Sequence, residues 1–414
     1  MGKGRTLMTR LRLLLQEYHP LVWVLVGGTV FARAAAFMSL PFLAVYLSRT
    51  TGMNPVLIGL TVGLGPLAGT FGGFVGGYLS DRFGRKVVML STLFVWAGVF
   101  FGFALAEEVA VFMALNLLNG LCRSFFEPTS QALMADITPP DKRMRVFSIR
   151  YLAINVGAAV GPLVGAYLAI VSAGLTFLIT GAVYLLYGMV LLVMMKRLGR
   201  EIGSTPPKER VRLMDALQVV RKDTALGFFI LAGILEHIGY SQVESSLPLH
   251  LKELFGGENV LYPFLLALNA GTVILFQIVI TRWSEKRSIL SNMILGSLMF
   301  ALGLICWGIG GHWGWFVTGM IILTIGEILI FPTSSLFIDR LAPEGMRGTY
   351  FGASGFRSIG FFIGPFLGGW LLDVIGGSSL YFLLAGVVAC SIVFYWLGQR
   401  SYREIRGKVK GHKE

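Results

Sequence analysis

The chain has 414 residues, of which 55% are hydrophobic and 14% charged, with a mean hydropathy of +0.72. A soluble domain carries about 25% charged residues, so this composition excludes an ordinary soluble enzyme or binding module. The formal net charge of +13 raises nucleic acid as a partner, but the cations are distributed in a way that argues against it.

Runs of about 20 apolar residues cross a bilayer as helices, because lipid offers the backbone no hydrogen-bond partners. Twelve such runs are predicted, at 21–47, 56–78, 87–106, 109–135, 146–171, 174–195, 225–248, 260–281, 290–310, 314–338, 349–374 and 379–398. Most connections are very short, so neighbouring helices are antiparallel. The N-terminal MTRLRLLL with Ala34-Ala35-Ala36 looks like a signal peptide and its cleavage site. The apolar run continues to Leu47, however, which suits an uncleaved first span. MGKGRT fits a myristoylation pattern, from which a twelve-span protein gains nothing. Between the second and third spans, Asp81, Arg82, Arg85 and Lys86 crowd into one turn, with Gly77 and Gly84 at its corners. The first span carries Arg33, the fourth Arg123 and Glu127. The fifth carries Gly157, Gly161, Pro162 and Gly165, the seventh Glu236, His237 and Tyr240, and the tenth Glu327. Cys122, Cys306 and Cys390 all fall within spans and read as small packing residues, with no disulfide framework and no metal spacing.

The expected organisation is a six-helix bundle at 1–195, a linker at 196–224, a second six-helix bundle at 225–398 and a basic tail at 399–414. The linker is the only long polar stretch. Its STPP is a turn signal, and VRLMDALQVV predicts a short amphipathic helix at the membrane surface. With the N-terminus placed inside, 29 of the 35 Lys and Arg fall on the inner side and two, Arg49 and Lys252, on the outer. This is the positive-inside pattern, and it predicts that both termini are cytoplasmic. The basic balance is then a topology signal, and it favours contact with anionic lipid rather than nucleic acid.

The halves repeat. At an offset of 204, Pro128, Thr129 and Ser130 fall on Pro332, Thr333 and Ser334, Pro139 on Pro343, and Arg143 on Arg347. At 203, Gly157, Gly161, Pro162 and Gly165 fall on Gly360, Gly364, Pro365 and Gly368. Asp81 falls on Glu285. A duplicated six-helix unit suits a carrier whose halves rock about a shared site.

On these residues the chain resembles a major facilitator superfamily transporter over nearly its whole length. Gly77, Asp81, Arg82, Gly84, Arg85 and Lys86 match that superfamily's turn G-x-L-x-D-R-x-G-R-K between helices 2 and 3. Gly157, Gly161, Pro162 and Gly165 resemble the antiporter motif of its proton-driven exporters. RWSEKR, TIGEI and MRGTYFGASG are similar to the drug:proton antiporter group, in particular LmrP-like and MdtH-like multidrug exporters. One position departs: the family places an Arg four residues before its helix-4 glycine, and here Asn116 stands there before Gly120, with Arg123 three residues after it. The resemblance implies an all-α integral membrane protein of twelve transmembrane helices in two pseudo-symmetric six-helix bundles. It further implies that Asp81 caps helix 11 as a conformational latch and that helices 1, 4, 7 and 10 line the cavity. Asp136 and Asp339, which close helices 4 and 10 near the cytoplasm, read from their positions as structural latch partners rather than proton carriers.

Ionisable residues within the bilayer are costly, roughly 2.5–3.5 kcal/mol each on insertion scales, and mark function by default. Glu327, Glu236, Glu127 and His237 are therefore the candidates for proton coupling, Glu327 first because it lies mid-span. Arg33, Arg123, Glu127, Glu236, Tyr240 and Glu327 are the candidates for the substrate cavity. Arg123 and Glu127 stand four apart on one helix face and can equally neutralise each other. Arg33 can equally be the structural partner of a carboxylate on a neighbouring helix. Arg150 and Arg357 can snorkel to the interface, or Arg357 can pair with an acid. A carboxyl held out of water can exchange its proton near neutral pH, as coupling to a proton gradient requires. Phe and Met in the spans, including Phe37, Met38, Phe125, Phe126, Phe331 and Phe337, offer an adaptable apolar lining.

The expected function is a proton-coupled exporter of lipophilic, often cationic, small molecules by alternating access. It would be a monomer in the bacterial cytoplasmic membrane, driven by the proton gradient without cofactor or metal, and not an enzyme. The alternatives are a proton-coupled uptake symporter for a nutrient, or an exporter of one endogenous metabolite.

Overall fold

The computed structural model describes residues 17–51, 53–171, 173–198, 213–256 and 261–411, and all regular structure among them is helical. The first part comprises α1 (Pro20–Ser39), a 3-10 turn (Leu40–Phe42), α2 (Leu43–Thr50), α3 (Pro55–Phe83), α4 (Arg85–Leu105), α5 (Val109–Asp136), α6 (Arg143–Val171) and α7 (Ala173–Leu198). The second comprises α8 (Leu213–Lys222), α9 (Thr224–Tyr240), a 3-10 turn (Ser241–Val243), α10 (Ser246–Phe255), α11 (Leu261–Ser284), α12 (Ile289–Ile309) and α13 (Trp313–Leu341). It continues with α14 (Arg347–Ala353), a 3-10 turn (Ser354–Ser358) and α15 (Ile359–Gly411).

Eleven helical stretches among the described residues are long and apolar enough to cross a membrane. The last of them holds two of the predicted spans, parted at Gly376, whose φ of 75° breaks the helix. Several starts follow from local chemistry: Asn54 accepts from Leu57 N at 2.8 Å ahead of Pro55, Asp223 from Leu226 N at 3.0 Å, and Ser288 from Ser291 N at 3.1 Å. Such caps satisfy amides that the first turn leaves without partners. The first predicted span is not one helix. Pro41 cannot donate an amide hydrogen bond, and the chain passes through the 3-10 turn at Leu40–Phe42 before α2. The seventh span is interrupted likewise at Ser241–Val243. α8 overlaps the predicted amphipathic stretch and runs two residues past it to Lys222, while the STPP signal lies outside the described residues. The helix expected to end near 398 runs on to Gly411, through most of the stretch read as a tail.

The chain divides into two compact units, Met1–Arg210 and Val211–Glu414. Within the first, α1 packs on α6 and α7, α3 on α5, and α4 on α5 and α7. Within the second, α9 packs on the α15 segment before Gly376, α11 on α13, and α12 on α13 and α15. The same pairs of spans meet in both, as duplication requires. Aromatic side chains centre each core. Trp96 and Phe100 stack on Tyr184, at 4.4 and 5.4 Å between centroids, in the first unit; Trp307 meets Tyr381 edge-on at 5.6 Å in the second. Buried rings contribute large apolar area and prefer these offset or edge geometries.

Candidate functional site

The dense charged turn joins α3 to α4 at Gly84, whose φ of 89° an L side chain rarely adopts. Across this corner Arg85 donates to Asp81 at 2.5 Å, to Ser80 Oγ at 2.6 Å and to Asp136 at 3.1 Å. One guanidinium thus ties the ends of α3 and α5 to the start of α4. Arg82 turns the other way and donates to Tyr78 at 2.8 Å, while Lys86 is exposed and Gly77 buried. In the second unit Asp339 is ion-paired with Arg347 at 2.9 Å.

Deeper in the first unit, Glu127 of α5 is gripped from both sides. Arg33 of α1 donates to one carboxylate oxygen and Arg150 of α6 to the other. Arg123 stands one turn away on α5 and acts on the same carboxylate electrostatically. The partners of Glu127 therefore come from neighbouring helices, and neutralisation by Arg123 alone is not the arrangement. Arg33 is the partner of a neighbouring carboxylate, one of its two expected roles. Arg150 corrects an expectation: it does not snorkel but is 8% exposed and spends its charge on Glu127.

What brings α1 and α6 together is the glycine motif. A Cβ on Gly157 would lie 2.7 Å from Val30 O and 2.6 Å from Arg33 Cβ; one on Gly161 would lie 2.5 Å from Ala34 O. Gly165 is buried and Pro162 half-buried on the same helix. The second copy repeats the contact, with Gly360 against His237 Cβ and Gly364 against Ile238 of α9. Close backbone approach through small residues is a packing device of membrane helices.

Besides Asp339, two carboxylates are buried among the described residues of the second unit. Glu236 of α9 accepts from Ser297 Oγ at 2.8 Å and from the Tyr395 hydroxyl at 2.6 Å. Glu327, fully buried midway along α13, accepts from Asn269 Nδ2 of α11 at 3.1 and 3.2 Å, and the Tyr240 hydroxyl pairs with it as well. His237 donates from Nδ1 to Gly233 O at 2.6 Å, and its ring meets Phe331 and Phe361 edge-on. Tyr240 touches Phe300, Phe331 and Phe361. Arg357 lies over the Phe229 ring at 4.9 Å and donates to Ser354 O. Phe126 and Phe337 are buried in their units' cores, so they pack helices.

Sequence reasoning missed Asn269, Ser297 and Tyr395 as partners of the two acids. The available signal was a polar side chain inside an apolar run, and it does not say which helix lies opposite. It also left Asn116 without a role. Asn116 Nδ2 donates to Thr61 O at 2.8 Å and to Val62 O at 2.9 Å. Val62 is four residues before Pro66, so its carbonyl lacks the helical amide that Pro66 cannot supply. Asn119 donates to Asn116 Oδ1 and accepts from Trp96, extending the network to α4.

The chain belongs to the major facilitator superfamily: the family model of that description matches residues 25–357. It is therefore a transporter rather than an enzyme, and a multi-pass cell-membrane protein. It is 36% identical over 404 residues to the uncharacterized MFS-type transporter YqjV of Bacillus subtilis (strain 168), covering 96% of this chain and 97% of the relative. It is 28% identical over 422 residues to the Na(+), Li(+), K(+)/H(+) antiporter of Planococcus maritimus, covering 92% and 97% of the two chains. It is 26% identical over 369 residues to the multidrug resistance protein MdtH of Salmonella schwarzengrund (strain CVM19633), covering 87% and 89%. Among solved structures, the fold is similar to the human organic anion transporter MFSD10, with a TM-score of 0.71 and 18% identity over 90% of this chain and 98% of that one.

Proposed function

We propose that the chain is a proton-coupled exporter that moves small lipophilic molecules outward by alternating access, with Glu327 as the principal proton carrier and Glu236 as the second. The observation that carries this reading is the setting of Glu327. Its carboxyl is fully buried midway along a membrane-spanning helix and held by an amide and a hydroxyl, groups that can accommodate it in either protonation state. Protonation from one side of the membrane and release to the other, coupled to the exchange between facing states, drives cargo against the inward proton flow. The antiporter and multidrug resistance names of two relatives support the same class. A second reading, exchange of a monovalent cation for protons, is favoured by the Planococcus relative, which aligns with 92% of this chain.

The test is proton movement in inside-out vesicles energised by respiration and followed with a pH-sensitive dye. Lipophilic cations, anions and neutral compounds, and separately Na⁺ and K⁺, are added to wild type and to Glu327→Gln. Collapse of the gradient by organic compounds in wild type, weaker by about tenfold or more in the variant, is expected. Collapse by Na⁺ or K⁺ alone selects the second reading. No response to any addition from well-expressed wild type overturns antiport and brings uptake symport or export of one metabolite forward.

A further inference from the structure

Away from the helix ends, the spans of the first unit carry three arginines, Arg33, Arg123 and Arg150, and a single carboxylate, Glu127. Two of those arginines converge on that carboxylate from α1 and α6. A carboxylate has about four acceptor sites, whereas each guanidinium presents about five N–H donors. The surplus is visible: Arg150 Nε is buried with no hydrogen-bond partner among the described residues, and so is the hydroxyl of Tyr187 on α7. Both side chains belong to residues more than nine-tenths buried. Arg123, one turn from Glu127 on the same helix, is exposed and adds a third cation to that face. The unit thus holds more positive charge, and more N–H and O–H donors, than its own carboxylate uses.

We propose that Arg33, Arg123 and Arg150 form a binding site for an anionic group, a carboxylate, sulfonate or phosphate, on the molecule that is carried. Glu127 is then the internal anion that occupies the arginines in the absence of cargo, and the cargo's anionic group displaces it. Arg33 and Arg150 give paired, charge-assisted donors of the kind that recognise planar oxyanions, Arg150 Nε and Tyr187 are the unspent donors, and Arg123 attracts the anion to the site. The inference rests on the export reading for its ligand but adds to it: the exported amphiphile is anionic or zwitterionic.

The experiment uses the full-length protein in phosphatidylcholine nanodiscs and three fluorescent probes that share one ring system. They are N-dansylglycine, a carboxylate; its amide, which is neutral; and N-dansylethylenediamine, a cation. Binding is read by energy transfer from tryptophan. The carboxylate is expected to bind about tenfold or more tightly than the other two. Arg33→Gln and Arg123→Gln are each expected to weaken it by about tenfold and the amide by less than about twofold, and Glu127→Gln to tighten it. Arg123 is exposed, so its variant tests the site even where changes at Arg33 or Glu127 disturb folding, and the amide reports intact protein in each case. Equal binding of the three probes, preference for the cation, or equal loss of carboxylate and amide in Arg123→Gln overturns the site. If phosphatidylglycerol added to the nanodiscs abolishes carboxylate binding, the anion recognised is a lipid headgroup, and the assignment to cargo fails. The same probes in the vesicle assay separate the two readings. Proton movement without charge preference overturns the anion site alone, whereas anion preference in the nanodiscs without proton movement in the vesicles supports the site and sinks the coupling.

Discussion

Arg85 meets two carboxylates and a hydroxyl from the ends of two helices, Asp81 and Ser80 on α3 and Asp136 on α5. Hydrogen bonds to charged groups contribute about 1.5–3 kcal/mol each, less here for Asp136, whose side chain is 32% exposed. Asp81→Asn keeps the side chain's shape and one acceptor but removes the charge. It is expected to leave a folded, normally expressed protein whose transport falls by about tenfold, measured as initial rate in vesicles against quantified protein; transport at the wild-type rate would show that the turn serves topology alone. The Glu127 cluster behaves differently, because Arg150 is buried, Glu127 and Arg33 are half-buried, and the three depend on one another. Removing one partner of a buried pair costs about 3–5 kcal/mol, since the other charge is left stranded. Glu127→Ala strands two guanidinium groups and is expected to lower thermal stability by about that amount, whereas Arg123→Ala, at an exposed position, costs less than about 1 kcal/mol. Thermal unfolding of the purified variants decides; equal losses would mean that the carboxylate is not what holds α1 and α6 to α5.

Helices, rather than single side chains, carry the consequences of Pro66 and of the glycine motif. Asn116 gives Val62 O the donor that Pro66 removed and bonds Thr61 O besides, so α3 is completed by α5. Asn116→Ala is expected to cost about 1–3 kcal/mol. In a Pro66→Ala background the cost is smaller, because the helix then supplies its own amide to Val62 O. A double-mutant cycle measures the difference, and strict additivity would deny the link. The helix-4 position where the family has an arginine thus has a structural use here. At the α1–α6 seam, a side chain at Gly157 would meet backbone, and the same holds for Gly360 of α15 against α9. Gly157→Leu and Gly360→Leu are expected to lower the yield of monodisperse protein strongly. Gly227→Ala, where nothing lies within 4 Å of an added Cβ, is expected to be silent. Size-exclusion chromatography of the three variants tests whether the motif is a packing seam.

For the whole molecule, orientation rests on charge. The positive-inside pattern predicts that a cysteine at Lys86 or Arg403, in a chain freed of its three native cysteines, is labelled by an impermeant thiol reagent in inside-out vesicles only. One at Glu107 is labelled only in right-side-out ones; the reverse pattern would invert the topology. Much of this architecture is legible along the chain, because each property involved is local. Lipid demands some twenty apolar residues per span, turns collect Lys and Arg on one side, and Pro41 and Gly376 interrupt helices wherever they stand. The duplication is legible too, since Gly157 and Gly161 recur as Gly360 and Gly364 and pack the same pair of spans. The buried acids were also visible, because Glu236 and Glu327 stand out in apolar runs. What the linear order leaves open is partnership. Arg123, four residues from Glu127, looked like its neutralising neighbour, yet Arg33 and Arg150, 94 and 23 residues away, hold it. Asn269 reaches Glu327 across 58 residues and Tyr395 reaches Glu236 across 159. Hydrophobicity acts residue by residue and can be read that way. A buried charge is satisfied by whatever the packing of helices places opposite it, and only the tertiary structure decides that.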